Sequence, residues 1–143
     1  MPTDELRAAP GLLGLYGRAL VPKRTGHRAP DVRLALPDVR VDPDHLRRYA
    51  EVCGFPPGDR LPVTYPHVLA FPLAMSLMTR RDFPFPLLGL VHLANRVRRF
   101  RPIGAAERLT YEVWARPPYR HAKGAALDVV AEARTARRWR GAR

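Results

Sequence analysis

An almost uninterrupted apolar run, residues 68–78, constrains the fold of this chain more than any other feature of its sequence. Ser76 is the only polar residue within it. A helix that is apolar on every side is buried in a protein core or in a membrane. A membrane span needs about 20 apolar residues, and Arg80, Arg81 and Asp82 end this run too early. The run therefore predicts a buried central helix around which the rest of the chain packs.

Proline indicates where this central helix begins. Pro72 has a fixed φ angle and no amide proton, so it fits the first turn of a helix better than the interior. We therefore expect the regular helix to begin near Phe71, with residues 64–70 as its lead-in.

Length and charge bound the class of protein. A chain of 143 residues corresponds to one domain that buries roughly two-thirds of its unfolded surface. We expect residues 1–30 to form an N-terminal extension with a short helix over residues 12–20, and residues 31–143 to form the single domain. The net charge of +12, carried mainly by arginine, favours contact with phosphates, acidic proteins or nucleic acid. A solvated basic surface is the simpler interpretation of the same charge.

Cysteine and histidine usage argues against a metal or redox protein. Cys53 is the only cysteine, so the sequence predicts neither a disulfide framework nor a cysteine-based metal site. It lies on the apolar face of a predicted helix, where we expect a buried, inert thiol. The histidines show no metal-ligand spacing, and there is no glycine-rich phosphate loop. Because the N-terminus lacks a signal-peptide pattern, we expect a cytoplasmic protein. We expect no membrane segment, since the apolar run is too short, and we expect no cofactor.

The helix before the central run is the best specified local element. Asp42 is a suitable N-cap, Pro43 fits the first helical position, and Gly54 supplies the positive φ that ends many helices. Between them an apolar stripe recurs at helical spacing, formed by Leu46, Tyr49, Ala50 and Cys53. The preceding residues 31–41 alternate around Pro37, which predicts at best an irregular edge strand.

Three later segments alternate apolar and polar residues with a period of two: residues 88–101, 109–116 and 127–134. This pattern predicts an antiparallel sheet with one covered face. On the first segment we expect His92 on the polar face and Asn95 on the covered face. Only the central helix is apolar enough to cover the sheet, so we predict an α+β fold of the hot-dog type. In that fold an antiparallel sheet wraps around one buried helix.

Three stretches, residues 41–54, 61–72 and 83–93, resemble the MaoC-like hot-dog proteins. These are (R)-specific enoyl-thioester hydratases and 3-hydroxyacyl-thioester dehydratases. The resemblance covers residues 41–135 and is greatest to the N-terminal, catalytically degenerate half of members that contain two hot dogs. It implies an acyl thioester of coenzyme A or acyl carrier protein as substrate, and a second hot-dog subunit or domain as partner. Residues 31–143 would then be one hot dog, truncated at its C-terminus relative to such members.

The family's catalytic motif, Asp-x-Asn-Pro-(Ile/Val)-His, is only partly matched. Its aspartate and histidine activate a water, while backbone amides at the start of the buried helix hold the thioester carbonyl oxygen. In residues 59–64 the aspartate (Asp59), proline and valine match, but Thr64 stands in place of the histidine. A threonine hydroxyl does not transfer protons near neutral pH as imidazole does. The resemblance therefore implies a half that does not catalyse alone. Asp59, His67 and His92 are the remaining catalytic candidates, with a structural role favoured for His67 and a surface or interface role for His92.

The resemblance also implies that the acyl chain lies beside the central helix. The expected substrate-binding residues are Thr64, Tyr65, Phe71, Met75 and Met78. A methionine thioether adapts to varied alkyl shapes, which suits a site for fatty acyl chains.

Two alternatives to this hypothesis remain open. The arginines of residues 96–101 and 134–143 fit a non-enzymatic, basic nucleic-acid-binding module. Such a module would need aromatic side chains to stack on bases. These two segments contain only two, Phe100 and Trp139, so nucleic acid is the less favoured partner. The other alternative is a truncated product without function, which predicts an exposed apolar sheet edge.

Overall fold

The computed structural model describes residues 1–21 and 25–135. In chain order the elements are β1 (Thr3–Glu5), α1 (Leu12–Ala19), β2 (Arg33–Val39), α2 (Pro43–Cys53), α3 (Tyr65–Met78), β3 (Leu109–Ala115), β4 (Tyr119–His121), β5 (Gly124–Ala126) and β6 (Val129–Thr135). The predicted short N-terminal helix is present as α1. Most of the predicted basic tail, including Trp139, lies outside the described residues.

The apolar helix α3 lies against one face of a four-stranded sheet with the order β1-β2-β3-β6. Leu73, Met75 and Leu77 are buried, and the helix packs on β2, β3 and β6. The β2–β3 and β3–β6 pairs are antiparallel, while β1 adds to β2 in parallel. The predicted α+β arrangement, a sheet covered by one buried helix, is therefore present.

The start of α3 differs from the prediction. The helix begins at Tyr65 rather than near Phe71, and Pro72 lies inside it. Pro66 occupies the first turn, where the missing amide proton costs little. The interior Pro72 costs about 3 kcal/mol. Burial of three neighbouring side chains, Leu73, Met75 and Leu77, offsets this at about 1.5–3 kcal/mol each.

The strand β2 is irregular, as predicted, but it is not an edge strand. It pairs with β1 on one side and β3 on the other. Its register with β3 shifts between Leu36 and Val39, and Asp38 adopts a φ of 61°. Pro37 lies in this bulge, where a residue without an amide proton is tolerated inside a sheet.

The capping predictions for α2 are confirmed. The Asp42 carboxylate accepts hydrogen bonds from the amides of Asp44 (2.9 Å) and His45 (3.3 Å). Gly54 closes the helix with a φ of 71°. The prediction of a buried Cys53 is wrong, because its thiol is exposed. Residues 51–54 are all exposed, so the last turn of the helix projects beyond the core.

Two of the three predicted strands are confirmed, as β3 and β6. In β3 buried side chains alternate strictly with half-buried ones. The short hairpin of β4 and β5 was not predicted. No helix within the described ranges is long and apolar enough to cross a membrane.

The third predicted strand, over residues 88–101, is wrong. Residues 88–100 form no regular element and are all exposed; we call this segment the exposed ribbon. Asn95 consequently lies on the surface rather than on a covered face. Alternating residues make a strand only where another strand pairs with the backbone, and no described strand pairs with this segment.

Candidate functional site

A half-open cleft with a volume of about 390 Å³, which we call the cavity, lies where the start of α3 meets α1, α2 and β2. Its volume falls within the range of small-molecule sites. Its walls are mainly apolar, with two histidines among them. The lining residues are Ala9, Leu12, Leu36, Val39, His45, His67, Val68, Leu69, Phe71 and Pro72.

Two hydrogen-bonded pairs connect α2 to the start of α3 beside this cavity. The hydroxyl of Tyr65 lies 2.8 Å from Nδ1 of His45. The hydroxyl of Tyr49 lies 2.6 Å from Oγ1 of Thr64. His45 and Tyr49 are four residues apart, so both project from one face of α2. Their rings pack on the Tyr65 ring, with centroid separations of 5.6 Å and 5.2 Å respectively.

Burial favours the neutral form of Tyr65, the tyrosine at the centre of these contacts. Tyr65 is fully buried, and desolvation raises the pKa of its phenol above the ordinary value, with Asp42 adding a smaller increase. A neutral phenol can donate to Nδ1 of His45. In the tautomer that accepts this bond, Nε2 of His45 carries the proton and can donate to another group.

The start of α3 has few free backbone donors. The amide of Tyr65 donates to the Pro62 carbonyl (3.0 Å), and the amide of His67 donates to the Thr64 carbonyl (3.1 Å). Pro66 has no amide proton. The first three residues of the helix therefore offer no unpaired N–H to a thioester carbonyl oxygen.

The predicted catalytic candidates are not brought together. Asp59 is exposed in the loop before α3, and its backbone carbonyl accepts the Ala105 amide at 2.7 Å. The Thr64 hydroxyl is engaged by Tyr49, and no hydrogen bond joins Thr64 to Asp59. His67 is exposed and lines the cavity.

The predicted substrate-binding residues fall into two groups. Phe71 lines the cavity, and Thr64 and Tyr65 contact the α2 side chains beside it. Met75 is buried and Met78 is partly buried against the core, and neither lines the cavity.

Sequence reasoning missed several contributors to this region. His45 and Tyr49 were not proposed, although their spacing of four on a predicted helix was a usable signal. Ala9 and Leu12 were assigned to a separate extension, and nothing local in the sequence indicates that they line a cavity. Among the described residues, no cluster of three or more histidine, cysteine, aspartate or glutamate side chains is arranged to hold a metal ion.

Known proteins resemble this chain in both sequence and fold. The chain is 35% identical over 126 residues to 3-hydroxyacyl-thioester dehydratase X of Mycobacterium tuberculosis, covering 87% of this chain and 42% of that protein. It is also similar to the crystal structure of HtdX from the same organism, with a TM-score of 0.68 and 32% identity over 73% of this chain and 45% of that one. The chain thus spans less than half the length of the relatives it matches. No protein-family model matches it. The shared fold confirms the predicted hot-dog architecture.

Proposed function

Because this chain belongs to the MaoC-like hot-dog dehydratase family, we propose that it is an acyl-thioester-binding half of such an enzyme. The enzyme would be an (R)-specific enoyl-thioester hydratase or a 3-hydroxyacyl-thioester dehydratase. In this proposal the chain holds the fatty acyl group, and a second hot dog, as a subunit or as a further domain, supplies the catalytic residues. The apolar cavity beside α3 carries the proposal.

The geometry at the start of α3 supports binding without catalysis. Dehydration requires a general base near the substrate and donors that stabilise the charge on the thioester oxygen. Here the Thr64 hydroxyl is already hydrogen-bonded to Tyr49, and the first amides of α3 are already paired. Asp59 lies in solvent. In this proposal Thr64 holds the start of α3 in place through Tyr49, and the chemistry is left to the second hot dog.

The cavity walls suit an alkyl chain. Leu69 and Phe71 of α3 and Leu12 of the N-terminal segment face the same space. Burial of each methylene group contributes about 0.8 kcal/mol, so a medium-length acyl chain gains several kcal/mol there. His45 and His67 are the polar groups at the wall that can meet the thioester end.

The proposal is tested by placing a large side chain in the cavity from an exposed residue of its wall. Ala9 lines the cavity and its neighbour Ala8 does not, while both are exposed. We expect Ala9→Trp to weaken octanoyl-CoA binding at least about tenfold, equivalent to about 1.4 kcal/mol, in isothermal titration calorimetry. Ala8→Trp is the matched control and should bind as the unaltered chain does.

Equal affinity of both variants would show that the ligand does not occupy this cavity. An unaltered chain that binds no octanoyl-CoA, yet binds DNA with an affinity that falls steeply with salt, would favour a nucleic-acid-binding module instead.

The need for a second hot dog is tested by activity. The chain alone should not hydrate crotonyl-CoA. Mixing it with a catalytic hot-dog partner should produce hydration, measured as a fall in the absorbance of the enoyl thioester. Hydration by the chain alone would overturn the proposed division of labour. Failure to gain activity with any such partner would count against the subunit role.

A further inference from the structure

His45 is a polar side chain in the wall of a mainly apolar cavity. It is half-buried, and its Nδ1 atom lies 2.8 Å from the Tyr65 hydroxyl. Within the part of the chain that the structure describes, its ring forms no other hydrogen bond. The second ring nitrogen, Nε2, is therefore available to a ligand.

The Tyr65 hydroxyl determines which nitrogen of the His45 ring carries the proton. A phenol has one proton to donate, and among the described residues this hydroxyl has no hydrogen-bond partner besides Nδ1. Tyr65 is fully buried, and a buried donor left unpaired costs free energy. The phenol therefore donates to Nδ1, and in neutral His45 the proton lies on Nε2.

The orientation of the His45 ring is fixed as well as its proton. The ring packs on that of Tyr65 with a centroid separation of 5.6 Å. A donor that is already oriented loses less side-chain entropy when it binds a ligand. His67, the other histidine of the wall, is exposed, and its ring forms no hydrogen bond with any described residue. Of the two histidines, His45 is therefore the better suited to hold a ligand atom in one place.

An acyl thioester brings an oxygen that needs a donor. An oxygen acceptor buried among apolar groups without a hydrogen bond costs free energy. The start of α3 does not supply the donor, because the amides of Tyr65 and His67 are already paired with backbone carbonyls. The N–H at Nε2 of His45 is a donor that the cavity wall can offer in their place.

We infer that His45 determines the specificity of the cavity by donating a hydrogen bond from Nε2 to an oxygen at the thioester end of the ligand. That oxygen belongs either to the thioester carbonyl or to a 3-hydroxyl group. This inference rests on the proposed function, since it names the group that orients the acyl thioester in the proposed site. The apolar walls hold the alkyl chain, and His45 selects ligands that carry an oxygen beside it.

Three coenzyme A ligands test this bond on the full chain. Octyl-CoA has a methylene group in place of the carbonyl, octanoyl-CoA has the carbonyl, and (R)-3-hydroxyoctanoyl-CoA adds the hydroxyl. We expect the affinity to rise at least about tenfold, equivalent to about 1.4 kcal/mol, at the step that adds the oxygen bound by His45. Isothermal titration calorimetry measures the three affinities, and the step at which the rise occurs identifies the oxygen.

Two substitutions separate the roles of the two ring nitrogens. The side-chain amide of asparagine lies near the place of Nδ1, so His45→Asn keeps an acceptor for the Tyr65 hydroxyl and removes the donor at Nε2. The amide of glutamine lies near the place of Nε2, so His45→Gln keeps that donor and removes the acceptor. We expect His45→Asn to lose the tenfold step with little loss of stability to urea. His45→Gln should keep most of the step and be less stable.

A second histidine provides the matched control. His121 is exposed on the β4–β5 hairpin and does not line the cavity, so His121→Asn should keep the affinity step. NMR of the imidazole nitrogens gives a measurement that needs no variant. In the unaltered chain His45 should carry its proton on Nε2, and the Nε2 resonance should shift with the oxygen-bearing ligand and not with octyl-CoA.

The outcomes distinguish this inference from the proposed function. Equal affinity of all three ligands, or an affinity step that His45→Asn retains, would overturn the role of His45 and leave acyl binding in place. If the unaltered chain binds none of the three ligands, the proposed function fails and this inference fails with it.

Discussion

Tyr111 places a hydroxyl group in the core beneath α3 without a hydrogen-bond partner among the described residues. The side chain is 1% exposed, and desolvation raises the pKa of its phenol, with Tyr65 adding to the effect. An unsatisfied buried polar group costs about 1–3 kcal/mol. This residue is therefore a local source of instability that its aromatic ring must offset by packing.

Replacing Tyr111 with phenylalanine should stabilise the protein. We expect the free energy of unfolding to rise by about 1 kcal/mol, because the ring is kept and the desolvated hydroxyl is removed. Urea denaturation measures the change. Tyr49→Phe is the matched control, and it should destabilise by about 1 kcal/mol because it removes the hydrogen bond to Thr64. A destabilised Tyr111→Phe would show that a buried water satisfies the hydroxyl.

Individual site residues were only partly predictable from sequence. The position of Thr64 follows from the register of a short motif, in which the resemblance implies a histidine at this place. Its partner Tyr49 lies fifteen residues upstream. The contact exists because α2 packs across the start of α3, and no local pattern specifies that packing.

At the scale of elements, α1 is the weakest helix. It has eight residues and no side-chain N-cap, and it contains Gly14 and Gly17. An added Cβ at either glycine meets nothing within 4 Å. Neither glycine is therefore required by a close contact.

Gly14→Ala and Gly17→Ala should each stabilise α1 by up to about 1 kcal/mol, because alanine loses less backbone entropy on forming a helix. Hydrogen exchange of the α1 amides should slow accordingly. Gly58→Ala is the control, since Gly58 lies in a loop and its Cβ also meets nothing within 4 Å. No change in α1 exchange with either helix variant would contradict the prediction.

One carboxylate stabilises the loop that leads into β3, in addition to the backbone hydrogen bonds of Ile103 and Ala105 to the loop before α3. Glu107 accepts two hydrogen bonds from the Arg101 guanidinium (2.9 Å and 2.7 Å) and one from the Gly104 amide (2.8 Å). The Arg101 bonds, followed by the Gly104 bond, lower the pKa of Glu107 from 4.5 to about 2. The folded state therefore favours the ionised form of this group.

This lowered pKa predicts a pH dependence of stability. The contribution of Glu107 is complete above its unfolded pKa near 4.5 and is lost as the pH falls toward about 2. Glu107→Gln should reduce stability at neutral pH and flatten its decline across that acid range, as measured by urea denaturation at a series of pH values. High salt should reduce the difference, since the pair is exposed. Glu51→Gln on the surface of α2 is the control, and an equal flattening there would contradict the assignment.

The elements predicted best from the sequence are those whose ends are determined by their own residues. The caps of α2 come from Asp42 and Gly54 themselves, so its ends were predicted closely. The start of α3 was missed because the local preference of Pro72 was outweighed by burial of its neighbours. The exposed ribbon was predicted as a strand because its alternation is strand-like, but pairing depends on a second segment that the alternation does not specify.

For the whole molecule, the proposed acyl binding in the cavity predicts a link between ligand and global stability. The walls of the cavity come from the N-terminal segment, α2, β2 and α3. The cavity therefore forms only when all of these elements are folded together. A ligand that binds only the folded form stabilises that form by mass action.

Octanoyl-CoA at a hundred times its dissociation constant should therefore raise the free energy of unfolding by about 2.7 kcal/mol. Differential scanning calorimetry should show a higher Tm. Coenzyme A without an acyl chain is the control, and it should raise the Tm less because it leaves the apolar cavity empty. Equal shifts would indicate that basic surface residues, rather than the cavity, recognise the ligand.

The parallel pairing of β1 with β2 has a practical consequence for anyone preparing this protein. The first dozen residues both shield the outer backbone of β2 and contribute Ala9 and Leu12 to the cavity wall. Removing them to obtain a smaller fragment would expose the outer backbone of β2 and remove part of the wall of the proposed acyl-binding cavity. If a shortened protein precipitates and does not bind acyl-CoA, the cause would be the removal of β1 and the segment after it, and not a defect in the rest of the fold.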